Sequence, residues 1–70
     1  MVLKINKSTE VWVYNNNGVC EHVIYGGTHR VESATFDGTY IAIQRYDGGA
    51  NHYVVLYDPN TYRQVRMFYV

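Results

Sequence analysis

Three residues of metal-ligating type stand near one another, Cys20, His22 and His29, and strand alternation points Cys20 and His22 to the same face. A structural zinc site takes four such ligands at a recognisable spacing, and no fourth is at hand, so no metal is assigned. Nucleophilic catalysis requires a Ser, Thr or Cys beside a histidine that a third group orients. Ser8, Ser33 and Cys20 lie in no sequence signature of that kind. Asp37, Asp47 and Asp58 each stand in turn-type sequence, where Asx hydrogen bonds account for them. Glu10, Glu21 and Glu32 recur at a constant interval and read as solvated strand positions, and Gly26-Gly27 is too short for a phosphate-binding loop. The expectation is a protein that is not an enzyme and uses no cofactor.

What remains is aromatic and cationic. The chain has eight Tyr together with Trp12, Phe36 and Phe68, an aromatic share of 16%. Tyr and Trp combine a large packing surface with a polar tip, and with Arg they are enriched at interface hot spots. The candidate binding residues are therefore the rings of Trp12, Tyr14, Tyr46, Tyr53 and Tyr57, with Arg45, Arg63 and Arg66 at their rim.

These side chains need a scaffold, and the sequence offers strands. No window keeps apolar residues at helical spacing, and Val, Ile, Thr and Tyr dominate the apolar runs. Strands are expected over 2–5, 10–14, 19–25, 31–36, 40–46, 52–57 and 62–69. Asn15-Asn16-Asn17-Gly18, Gly26-Gly27, Asp37-Gly38, Asp47-Gly48-Gly49 and Asp58-Pro59-Asn60-Thr61 separate them. Asn-Gly and Asp-Gly supply the positive φ that tight hairpin turns need, so each strand pairs with the next. The fold class is all-β, an antiparallel meander of about five to seven short strands, closed as a small barrel or left as a strongly twisted, blade-like sheet. Residues 1–70 form a single small β domain.

An internal repeat is also visible. Val11-Trp12-Val13-Tyr14, a turn and a second strand parallel Val54-Val55-Leu56-Tyr57, a turn and a second strand. The stretch from Arg30 to Phe68, with Asp37-Gly38 between two strands and then Val54-Val55-Leu56-Tyr57-Asp58, resembles one blade of a WD40-type β-propeller. It departs from that pattern in carrying Tyr57-Asp58 for Trp-Asp and in lacking the opening Gly-His. The resemblance implies a four-stranded meander sheet; a propeller closes with four or more such blades, which this length does not supply alone.

Alternation within each strand separates an aliphatic set, Val11, Val13, Ile41, Ile43, Val54, Leu56, Val65 and Met67, from an aromatic one. The first is expected to form a single core and the second to cover a bent sheet or meet a partner. The apolar run Met67-Phe68-Tyr69-Val70 is expected to be paired, inside a barrel or with another subunit, because a bare apolar edge invites association.

Six basic and six acidic side chains cancel, so no global field draws the chain to nucleic acid or an anionic membrane. A single cysteine excludes an intrachain disulfide and fits a cytoplasmic protein, and the opening residues read as too polar for a secretory signal. No apolar run approaches the ~20 residues of a membrane span. The leading expectation is a protein–protein interaction module, homo-oligomeric, acting as a small inhibitor or regulator by occlusion through its aromatic face. The alternatives are a small β-barrel that stacks single-stranded nucleic acid on rings such as Tyr46 and Tyr62 beside Arg45, Arg63 and Arg66, and a binder of a small anionic ligand or nucleotide between subunits.

Overall fold

The computed structural model describes residues 1–70 as seven strands and no helix. The strands are β1 (Val2–Asn6), β2 (Glu10–Tyr14), β3 (Cys20–Tyr25), β4 (Arg30–Phe36), β5 (Ile41–Tyr46), β6 (His52–Tyr57) and β7 (Gln64–Tyr69). Each pairs antiparallel with its neighbour, but the meander is interrupted once, giving a three-stranded sheet β1-β2-β3 and a four-stranded sheet β4-β5-β6-β7. The barrel is not the form adopted. β7 is an edge with every residue exposed, and no strand lies beyond it.

The turns are built as their sequences dictate. In four of them one carboxamide or carboxylate oxygen at the head takes backbone N–H donors two to four residues on. Asn15 Oδ1 accepts from Asn17 (2.9 Å) and Val19 (3.1 Å), and Asp37 Oδ1 from Thr39 (2.7 Å) and Tyr40 (2.8 Å). Asp47 Oδ1 accepts from Gly49 (2.8 Å) and Asp58 Oδ1 from Asn60 (2.7 Å). Gly18 and Gly38, at φ +80° and +96°, take the conformation that closes two of these turns. The turn before β2 uses no glycine, since Lys7 and Ser8 themselves adopt φ of 53° and 58°. Tyr62 also has a positive φ and lies in the loop before β7, so the last strand starts two residues later than its composition suggests.

The two sheets share one core of Val11, Val13, Ile24, Val31, Ile41 and Ile43, with Leu3, Ala34, Tyr57 and Tyr62 packed against it. Register explains its membership. Ile41 pairs with Tyr57 and Ile43 with Val55, so these four share a face, while Val54 and Leu56 turn the other way. The expected all-aliphatic core is therefore corrected. Val55 is buried in place of Val54 and Leu56, and Val65 and Met67 are exposed on the edge strand. Alternation fixes the faces within a strand, and only the pairing between strands decides which faces join.

The sequence repeat is present in three dimensions. Val13 pairs with His22 and Tyr14 with Cys20 across a bulge; Leu56 pairs with Arg66 and Tyr57 with Gln64 across a bulge at the same step. Val11 faces Ile24 as Val54 faces Phe68, and Val2 faces Tyr14 as Ile41 faces Tyr57. Thus β1-β2-β3 matches β5-β6-β7 residue for residue, and β4 is the added strand. The side of each sheet carrying Val11 and Val13, or their counterparts Val54 and Leu56, is termed its front, and the other side its back. The core is the front of the three-stranded sheet packed on the back of the four-stranded one.

Candidate functional site

Arg45 links the two sheets from within. Its place on β5, between Tyr46 and Gln44 and two residues beyond Ile43, turns it inward with the core isoleucines, and it is only 1% exposed. Nη1 donates to the carbonyls of Thr9 and His29, each at 3.0 Å, tying the β1–β2 turn to the β3–β4 loop. Nη2 has no partner. Gly26 passes so close that a Cβ there would lie 1.9 Å from the guanidinium carbon. A second link is made by Ser8, whose carbonyl accepts from the Val31 N–H at 2.7 Å. A third is the stack of His22, on the front of β3, upon Tyr62 of the β6–β7 loop, centroids 4.1 Å apart and nearly parallel.

The other candidate residues do not form one aromatic face. Trp12 and Tyr14 lie on the back of the three-stranded sheet, 6.5 Å apart, and the Trp12 indole donates to Glu10 Oε1 at 2.9 Å. Together with an Asn6 amide, that donor holds the Glu10 carboxyl below the usual range. Tyr53 and Tyr57 lie on the back of the four-stranded sheet, between the sheets. Tyr53 Oη meets His29 Nδ1 at 2.5 Å and its ring meets Tyr69 edge-on, while burial pushes its phenol up. Tyr46 lies on the front of that sheet, stacked on His52 at 4.5 Å. His52 contacts Glu32 at 2.7 Å and holds that carboxyl low. Arg63 is exposed in the loop before β7. Arg45 is inside rather than at a rim.

Arg66 is the candidate that meets apolar neighbours on an open surface. On the front of the four-stranded sheet it lines, with Tyr40, Leu56 and Val65, a shallow hollow of about 180 Å³. Phe68, two residues along the same strand, is 42% exposed, and Tyr40 and Val65 are likewise open. The one ion pair in the protein is His52–Glu32, so the Arg66 guanidinium has no carboxylate. Sequence reading selected Arg66 but missed Tyr40, Leu56, Val65 and Phe68. The bulge that turns Val65 toward Leu56 leaves no mark in composition.

No cluster of three or more His, Cys, Asp or Glu side chains stands in metal-binding geometry, and Cys20 Sγ points to the His22 carbonyl at 3.6 Å. No helix is long and apolar enough to cross a membrane. Searches against protein-family models, curated proteins and solved structures found no match.

Proposed function

We propose that this chain is a protein–protein interaction module of the cytoplasm, acting by occlusion, whose partner-facing surface is the front of the four-stranded sheet. The observation that carries this reading is the contiguous patch of Tyr40, Leu56, Val65 and Phe68 around the unpaired Arg66. Apolar and aromatic groups surrounding an Arg are the composition of an interface hot spot, and an exposed apolar patch in so small a protein marks a surface that another molecule covers. The patch is also rigid, since it lies on paired strands rather than loops, which lowers the entropy lost on binding.

The test is capture of partners on immobilised protein, wild type against Phe68→Glu and Arg66→Glu. Both variants are expected to keep the melting temperature and to lose the captured proteins. Retention of the same partners by both would refute the assignment of this face.

A further inference from the structure

We infer that the front of the four-stranded sheet is covered by the back of the three-stranded sheet of a second copy of this chain, in the head-to-tail sense that the two sheets already use within one chain. This rests on the reading of that face as an interface and names its occupant.

Within the chain, the front positions Val11, Val13 and Ile24 are 0%, 1% and 4% exposed because the back of the next sheet covers them. Their register counterparts on the four-stranded sheet are Val54, Leu56 and Phe68, apolar at all three places, the first two half-buried and Phe68 exposed, with no second sheet over them. On the other side, Tyr57 packs on the core from the covering back with the buried Val55 two residues before it, and their counterparts on the three-stranded sheet, Tyr14 and Trp12, are aromatic and half-buried with no second sheet over them. One molecule therefore carries both halves of a contact whose geometry it demonstrates internally, one half at each end. A unit that cannot bury its terminal apolar faces alone buries them by stacking on others of its kind. The contact joins two different surfaces, so it is heterologous; it gives a ring where the rotation closes and an open stack where it does not. The match has departures: β4, which carries the core residue Val31, has no counterpart on the three-stranded sheet, and Gln44 stands where Ile5 stands. Lys4 stands where Ile43 stands on the other sheet, which weakens the intermolecular contact relative to the internal one.

The experiment is the solution mass of purified chain across a concentration series, for wild type, Phe68→Glu, Trp12→Glu and an equimolar mixture of the two variants. Phe68→Glu places a carboxylate near Arg66; Trp12→Glu places one opposite Lys4 but removes the indole that donates to Glu10, so its fold is checked by circular dichroism. Tyr14→Glu replaces Trp12→Glu if the latter loses its β-sheet circular dichroism. The expected result is an associating wild type, two monomeric variants, and a one-to-one heterodimer on mixing, since each variant keeps the half that the other has lost. Lys4→Ile is expected to strengthen association roughly tenfold, by burying methylenes in place of a hydrated ammonium. Association abolished by Phe68→Glu but untouched by Trp12→Glu would mean front-to-front pairing and would overturn the inference. Association untouched by both would mean pairing along β7 and would also overturn it. A wild type that stays monomeric while a different protein is captured through Phe68 would overturn it too, yet leave the interaction surface itself standing.

Discussion

Gly26 lies against the Arg45 guanidinium with no room for a Cβ, which makes Gly26→Ala the most informative single change. The new Cβ would lie 1.9 Å from Cζ, where ordinary contact begins at 3.4 Å, so the guanidinium must retreat by about 1.5 Å. Arg45 has no slack for that movement, because its Nη1 holds the Thr9 and His29 carbonyls at 3.0 Å and the side chain is enclosed. Retreat breaks both bonds. Hydrogen bonds to a charged group contribute about 1.5–3 kcal/mol each, and the displaced cation regains some hydration, so the expected loss is about 2–4 kcal/mol. A domain of this length has roughly 4–10 kcal/mol in total, so the loss is a large fraction. The assay is urea unfolding of wild type, Gly26→Ala, Arg45→Met and the double variant, followed by Trp12 fluorescence. Arg45→Met is itself destabilising, since two carbonyls lose their donor, but with the guanidinium gone Gly26→Ala should cost less than about 1 kcal/mol. A Gly26→Ala loss below about 0.5 kcal/mol, or equal losses in both backgrounds, would show that the glycine is not there to admit Arg45.

Ile41→Ala and Ile43→Ala, at positions of 0% exposure, are expected to cost about 2–5 kcal/mol each by thermal or urea unfolding, enough to leave a large unfolded fraction. Tyr53→Ala should lower stability by breaking the His29 and Tyr69 contacts, while Trp12→Ala at the open back should lower it far less; the two melting temperatures decide whether those rings differ in role. Acidification has a definite sign. Asp37 is held low by the Tyr40 and Thr39 N–H groups, Asp47 by the Gly49 N–H and the Asn51 amide, Glu10 by the Trp12 indole and Glu32 by His52. Carboxyls lowered in the folded state stabilise it above their unfolded values of about 4 and lose that contribution as pH falls through the folded ones. Melting temperature should therefore drop steadily below about pH 4, and Asp37→Asn should flatten the drop; a flat profile in the wild type would contradict the turn geometry.

The fold was legible where chemistry is local. Asn15, Asp37, Asp47 and Asp58 announce their turns because each side chain closes its own hydrogen bonds, and the β-branched runs between them have one favourable conformation. The strand set follows from these and nothing more remote. The turn at Lys7-Ser8 was not legible, since neither residue favours the conformation that it takes. Nor was the pairing of faces. Whether Ile43 shares its side with Val54 or Val55 depends on the length of the connecting turn, and a one-residue difference exchanges core for surface. The candidate site suffered from the same ambiguity. Alternation sets Trp12 and Tyr14 opposite Val11 and Val13, and Tyr53 and Tyr57 opposite Val54 and Leu56, but only the division into two sheets shows that these rings lie on two different backs, one of which meets the core. Arg45 shows the limit most plainly, since a cation flanked by Gln and Tyr reads as surface, and only the carbonyls of Thr9 and His29, distant in sequence, make the interior tolerable for it.

The repeat ties these findings to function, because it presents one face in two situations. On the three-stranded sheet the front carries Leu3, Ile5, Val11, Val13 and Ile24; on the four-stranded sheet the same places hold Ala42, Gln44, Val54, Leu56 and Phe68. Ile5 is itself 42% exposed beside the internal contact, so the difference at Gln44 falls at the margin, while the buried Val11, Val13 and Ile24 all have apolar counterparts. Three places are large and apolar on both sheets and two are smaller or polar on the four-stranded one, an apolar centre with a more polar margin, which is the anatomy of an interface. The smaller and polar residues fall on the β5 side, and the large apolar ones lie on β6 and β7, nearest the hollow around Arg66. A reversible contact centred on Leu56 and Phe68, weaker than the internal contact it copies, is the arrangement this composition supports.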